Sequence, residues 1–289
     1  MKPTCLACSR QRFSTLLFPL AIALAAGGLA SCKPKPATVA VAAPPAESAR
    51  PAHWGYEGEL APAKWGSLSP AYAACGQGKA QSPVDLVSTA NGETPGLLFN
   101  YQRTALKIAH HEHVIDIVDN GHTLQVTVDE GSTLVTQRDE YQLLQFHFHT
   151  PSEHTVDGRS FPMEAHFVHQ STTGNFAVVS ALFVEGEPSE NLARLIAHFP
   201  AAKGETKHAP EVVLDLAAHL PEDRSVYQYL GSFTTPPCTE NVEWFVLKQP
   251  VTASREQLQA FASRLSPNNR PVQPMNDRRL GLARMTPKP

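Results

Sequence analysis

A mainly β fold of the α+β kind is predicted: one sheet-dominated domain with a few peripheral helices. Three observations carry this. Polar and apolar residues alternate through Leu143 to His149 and again through Glu164 to His169, which is the two-residue period of a strand. Only two stretches repeat with helical spacing. Twenty-five prolines in 289 residues imply many loops, because proline ends both helices and central strands.

The elements follow in chain order. Lys2, Arg10 and Arg12 precede an apolar stretch from about Leu16 to Ala26, then Leu29-Ala30-Ser31-Cys32. This is the pattern of a secretory leader, too short and wrongly flanked to span a membrane. Leu29 to Cys32 resembles the bacterial lipobox, in which the cysteine becomes the lipidated first residue, so residues 1–32 are assigned to a leader with lipidation at Cys32. The alternative is an ordinary cleaved signal with Cys32 incidental. The expected location is the periplasmic side of the envelope. Lys33 after the cysteine points to a lipid anchor in the outer membrane; without the lipid, the chain would be soluble in the periplasm. Residues 33–52 are rich in Pro and Ala and lack periodicity, so they read as a tether reaching about 60 Å when fully extended as polyproline. Folded sequence is expected over 53–289.

Val114 to Val118 and Thr123 to Val128 flank Asp119-Asn120-Gly121-His122, a hairpin signal. Phe176 to Val184 reads as a continuously apolar strand buried on both faces, and Glu243 to Leu247 as another. Ser189 opens a helix with Leu192, Leu195, Ile196 and Phe199 on one face; Ser254 and Gln257 have the form of a capping box before Leu258, Phe261 and Leu265.

Losing three cations with the leader leaves 21 basic residues of the original 24 against 27 acidic ones, with no like-charge run. That gives no footprint for nucleic acid. Of five cysteines, Cys5 and Cys8 leave with the leader and Cys32 takes the lipid. Cys75 and Cys238 remain, and an exported protein is expected to bridge them.

The chemistry sits on the alternating strands. Gln145, His147 and His149 share one face while Phe146 and Phe148 fill the other, and Glu164, His166 and Val168 share a face of the second strand. If the strands pair antiparallel, three imidazoles converge with a fourth tetrahedral position open, the ligand set of a catalytic zinc site. Gln145 and Glu164 each precede a proposed ligand by two residues, where they can accept its second ring N–H. Most histidines, however, are ordinary hydrogen-bonded residues, and this chain has 13.

Six motifs then stand in the order of one family: Gln81-Ser82-Pro83-Val84-Asp85, Asn120-Gly121-His122, Gln145 to His149, Ser152-Glu153-His154-Thr155-Val156-Asp157-Gly158, Glu164-Ala165-His166, and Ser232-Phe233-Thr234-Thr235-Pro236-Pro237. With them the chain, from His53-Trp54-Gly55-Tyr56 to near Arg278, resembles the α-class carbonic anhydrases of exported bacterial type. The resemblance implies a large twisted, mostly antiparallel central sheet. It implies Zn²⁺ as cofactor on His147, His149 and His166, and a lyase (carbonate dehydratase) activity. That activity is reversible hydration of carbon dioxide to bicarbonate and a proton by zinc-bound hydroxide.

By the same resemblance Thr234 accepts a hydrogen bond from the nucleophile and donates to Glu153, His122 shuttles protons, and the Asn268 carbonyl backs His149. Val168, Val178, Phe233, Thr235, Val242 and Trp244 form the substrate pocket, with Phe233 where the family carries leucine. Carbon dioxide and bicarbonate are the expected partners, with sulfonamide or anion inhibitors; no nucleic acid is expected, and membrane contact only through the lipid. A homodimer stays open. His154 and His169 are read as structural, and His110, His111 and His113 as a polar loop and strand edge.

Two other functions compete. His147-x-His149-x₃-Glu153 has the spacing of the first cupin metal motif, but Tyr141 stands where a glycine is expected and the second motif's Pro-x-Gly is missing. There Glu153 would be a metal ligand. The other rival is a lipoprotein that uses the same fold for binding or zinc storage without catalysis.

Overall fold

A computed structural model describes residues 52–88, 97–100, 103–105, 116–208, 212–265 and 267–287. The leader, Cys32, the tether up to Pro51 and His110, His111 and His113 lie outside these residues.

Twelve strands among the described residues form one sheet: β1 (Leu97–Asn100), β2 (Asp116–Asp119), β3 (Leu124–Thr127), β4 (Thr133–Val135), β5 (Glu140–His149), β6 (Met163–Ser171), β7 (Phe176–Glu185), β8 (Thr206–His208), β9 (Ser225–Ser232), β10 (Glu240–Leu247), β11 (Val251–Ala253) and β12 (Gly281–Pro287). Their order is β6-β7-β10-β9-β12-β1-β4-β5-β3-β2-β8, with β11 beside β7 and a further pairing between β5 and β6. Most pairs are antiparallel; β7 with β10, β7 with β11, and β12 with β1 are parallel. The expected central sheet is therefore present, with a minority of parallel pairs.

Helices are few and peripheral. Besides the single turns α1 (Trp65–Leu68) and α2 (Ala74–Gln77), there are α3 (Glu190–Ala197) and α4 (Arg255–Leu265). Ser189 caps α3 through Leu192 N–H. Ser254 and Gln257 make the reciprocal capping box: Gln257 N–H donates to Ser254 Oγ at 3.3 Å and Ser254 N–H to Gln257 Oε1 at 3.0 Å. No helix among the described residues is long and apolar enough to cross a membrane.

The expected strict alternation from Leu143 needs one correction. In β5 the buried positions are Tyr141 and Leu143, then Phe146 and Phe148, so the phase shifts by one residue. His169 pairs with Leu143 and Val168 with Gln145, leaving Leu144 as the extra, exposed residue of a bulge. A bulge resets which face a strand presents. All four apolar residues thereby reach one core, while Gln145, His147 and His149 turn to the opposite face.

That core, with Phe167, Val179, Phe183, Phe245 and Phe261, lies on one side of the sheet. A second apolar cluster, with Val168, Val178, Val242, Trp244, Tyr229 and Leu182, backs the functional face. The Cys75–Cys238 disulfide forms, tying α2 to the loop after β9.

Candidate metal centre

β5 and β6 pair antiparallel, with His147 opposite His166 and Glu164 opposite His149. This register, set by the bulge, stacks the three histidines on adjacent positions of one face. His149 and His166 are 1% exposed, and His147 is half-buried. Burial lowers the pKa of all three; repulsion between neighbouring imidazoles adds to this, most for His147, which lies well below the ordinary histidine value. The rings are neutral.

Each ring is oriented by one acceptor. His147 Nδ1 lies 2.8 Å from Gln145 Oε1, His149 Nδ1 lies 2.7 Å from the Asn268 carbonyl, and His166 Nε2 lies 2.8 Å from Glu164 Oε1. A carbonyl and a carboxylate can only accept, so these nitrogens carry the protons of His149 and His166. What remains are the lone pairs of His147 Nε2, His149 Nε2 and His166 Nδ1. The ligand atoms of the three residues lie within 4.8 Å of one another. His149 Nε2 is fully buried with no hydrogen-bond partner, which in a neutral interior calls for an electrophile. Three neutral imidazoles, tautomers fixed from behind, fit Zn²⁺ with a vacant fourth position.

Glu164 anchors this arrangement. Its Oε1 accepts from His166 Nε2, His154 Nδ1 (2.6 Å) and Ser180 Oγ (2.5 Å), and its Oε2 from the Glu153 and His154 backbone N–H groups, both at 2.8 Å. Burial raises its pKa, but His154 and His166 outweigh burial and hold it well below the usual carboxylate range. The Tyr229 hydroxyl bridges His154 Nε2 (2.7 Å) and Ser82 Oγ (2.9 Å), so His154 has the structural place expected of it. His169 is buried on the opposite face, where burial pulls its pKa down to about 4.

Glu153 is 1% exposed, not on the surface. Its Oε1 accepts from Arg270 N–H at 2.7 Å; its Oε2 lies 3.6 Å from His149 Nε2 and 3.9 Å from His166 Nδ1. Burial pushes its pKa up to about 7, against the His166 ring, the Thr234 hydroxyl and the Arg270 N–H, which hold it down. The metal-competent group of three histidines does not include it. Thr234 is 5% exposed on a loop fastened by the Cys75–Cys238 bridge, Phe233 N–H to Thr239 O (3.0 Å) and Cys238 N–H to Thr235 O (2.8 Å).

The three histidines open into a cavity of about 170 Å³ with an apolar wall of Val168, Val178, Phe233 and Trp244, lined also by Thr234 and Thr235. Phe233 packs edge-on against Phe176. Val242 is 1% exposed and packs in the same apolar cluster as Val168, Val178 and Trp244, on the face of β10 that carries Trp244. His122 stands at the rim, stacked on Trp54 with ring centroids 3.8 Å apart. Burial, His53 and Lys203 lower its pKa.

Several contributors were not singled out from sequence. Trp54 and Tyr56 line the mouth, Gln125 faces the histidines, and Arg270, 1% exposed, bonds to Glu153. The aromatic pair could have been suspected from its place beside His53; nothing local marks Arg270.

Fold and site together define a β-sheet protein with a metal-competent three-histidine centre facing an apolar niche. The family model described as eukaryotic-type carbonic anhydrase matches residues 60–283. A carbonic anhydrase of Pectobacterium atrosepticum is 41% identical over 227 residues, 78% of this chain and 89% of that protein. Among solved structures, the α-carbonic anhydrase of Thermovibrio ammonificans in complex with the inhibitor sulfanilamide superposes with a TM-score of 0.73 at 40% identity, covering 81% of this chain and 99% of that one. Dioscorin complexed with ascorbate also superposes, with a TM-score of 0.71 at 31% identity over 81% of this chain and 99% of its own. The chain belongs to the α-class carbonic anhydrase family, whose general activity is reversible hydration of carbon dioxide. The cupin reading is set aside.

Proposed function

We propose that this carbonic anhydrase hydrates carbon dioxide at a Zn²⁺ held by His147, His149 and His166. The observation that carries the proposal is the set of three convergent lone pairs, two of them on buried rings, each ring fixed from behind by an acceptor, beside an apolar wall. Zn²⁺ in a three-histidine site supplies Lewis acidity and lowers the pKa of a water to about 7, a value known from carbonic anhydrase itself and borrowed here.

The chain's own groups do the rest. Thr234, whose hydroxyl lowers the Glu153 pKa, would donate a hydrogen bond to that carboxylate, so that its own oxygen is left to accept a hydrogen bond from the attacking oxygen and orient it. Val168, Val178, Phe233 and Trp244 receive an uncharged electrophile and exclude water from one side. His122, neutral at physiological pH and at the rim, accepts the released proton and passes it to solvent. Sulfonamides are expected to compete at the same site, as the sulfanilamide complex of the Thermovibrio relative suggests. Residues 1–32 and 33–52 would export the domain and tether it through Cys32 to the outer membrane on its periplasmic side.

Zinc analysis with a stopped-flow hydration assay tests the proposal. One zinc per chain and hydration abolished by sulfanilamide are expected. Zinc without hydration would favour a binding protein on the same fold. Loss of metal in Glu153→Gln would mean that Glu153 is a ligand and the assigned roles are wrong.

A further inference from the structure

Residues 267–280 contain no helix or strand, yet they make four hydrogen bonds to the metal centre and its surroundings. The Asn268 carbonyl accepts from His149 Nδ1, the Asn268 amide donates to the His122 and Phe148 carbonyls at 2.9 Å each, and Arg270 N–H donates to Glu153 Oε1. Its backbone bonds to other segments include Asn268 N–H to the Thr150 carbonyl (3.3 Å) and Gln273 N–H to the Pro83 carbonyl (2.7 Å), and side-chain anchors, among them Asn268 Oδ1 accepting from Thr150 N–H (2.8 Å), add to these.

Arg270 is a deeply buried anchor of this segment. Its guanidinium is 1% exposed, and no carboxylate among the described residues pairs with it. Instead Nη1 donates to Gln81 Oε1 (2.9 Å) and the Ser82 carbonyl (2.7 Å), Nη2 donates to the Cys75 carbonyl (2.8 Å), and the plane lies over Trp65. Burial lowers its pKa to about 10, so it stays cationic at neutral pH. An unpaired buried cation is expensive, so the core gains little from it as such. The planar fork, however, fixes two donors in direction, which an ammonium does not.

We infer that Arg270 is a positioning residue: its buried guanidinium clamps residues 268–270 to the Cys75 and Ser82 carbonyls and the Gln81 side chain, and so aims the Asn268 carbonyl at His149 and the Arg270 N–H at Glu153. The inference rests on the proposed zinc site for its consequence in activity, but its geometric part does not. Outer-shell partners of this kind change metal affinity or activity about 10–100-fold.

The test uses the disulfide-bonded protein and the variants Arg270→Ala and Arg270→Lys. In metal-free Arg270→Ala the His149 ring N–H resonance, protected in the parent protein, should broaden by exchange with water. Zinc affinity and kcat/KM should each fall about 10–100-fold, and added guanidinium, which fits the vacated space, should restore all three. Arg270→Lys keeps the charge but not the fork and should show the same loss with no restoration.

A folded Arg270→Ala with parental zinc affinity and an unchanged His149 proton would overturn the inference. So would losses in folded protein that guanidinium does not reverse. Should Arg270→Ala fail to fold, parental behaviour of Arg270→Lys would overturn it equally. If the parent protein binds no zinc, the zinc proposal fails, and the ring-proton measurement still decides the role of Arg270.

Discussion

Replacing Glu164 by glutamine keeps the shape of the side chain and converts one acceptor end into a donor. All five hydrogen bonds to this carboxylate come from donors, so the amide must face some of them with the wrong polarity. If the NH₂ takes the Oε2 position, the Glu153 and His154 N–H groups both lose their acceptor; at about 1–3 kcal/mol for each orphaned buried donor, folding loses about 2–6 kcal/mol. If it takes the Oε1 position, Ser180 can rotate and His154 can change tautomer, but His166 must then accept at Nε2. Its proton moves to Nδ1, the nitrogen whose lone pair faces the metal position, and zinc affinity should fall about 10–100-fold. Urea unfolding of the metal-free protein, zinc competition against a chromophoric chelator, and NMR of the His166 tautomer separate the two arrangements. A variant with stability within about 0.5 kcal/mol of the parent and zinc affinity within about twofold would refute the reasoning.

Other outcomes are expected. His122→Ala should slow turnover in weak buffer and recover with added imidazole; equal rates without buffer would reject the shuttle assignment. Replacing Cys75 and Cys238 by serine removes a crosslink between residues 163 apart, with a ceiling of about 5 kcal/mol from loop entropy, read as a lower denaturation midpoint. Metal-free protein should lose stability on acidification, with His169 contributing beside the three metal-site histidines, whose pKa values burial also lowers. The folded pKa of His169, about 4, lies below the ordinary 6.5, so the unfolded chain takes up the proton first as pH falls. The stabilisation is complete above pH 6.5, falls through the window down to about 4, and amounts to about 3 kcal/mol for that buried group. His169→Gln should flatten urea-midpoint curves across that window, and an unchanged slope would show that His169 is not among the groups responsible.

Much of the site was legible because its information is local. A two-residue period places Gln145, His147 and His149 on one face, and Glu164 with His166 on another, whatever the strands later pair with. The capping box at Ser254 and the cap at Ser189 are likewise set within one helical turn, and the hairpin around Asn120-Gly121 within a few residues. The fourth role on the metal face was less visible: Glu153 looks like any surface carboxylate until burial and the Arg270 N–H are known.

Residue identity and short-range period alone determined which side chains could bind a metal and on which strand faces they stand. Tertiary structure decided the rest. The doublet Leu143-Leu144 breaks the alternation in the sequence, but that Leu144 bulges out and that His147 sits opposite His166 follow from where β6 pairs. Arg270 reaches Cys75 and Gln81 across 195 and 189 residues. Hydrogen bonds and packing act through space over a few ångströms, so the contacts that tune a centre built on adjacent strands come from segments that sequence distance does not connect.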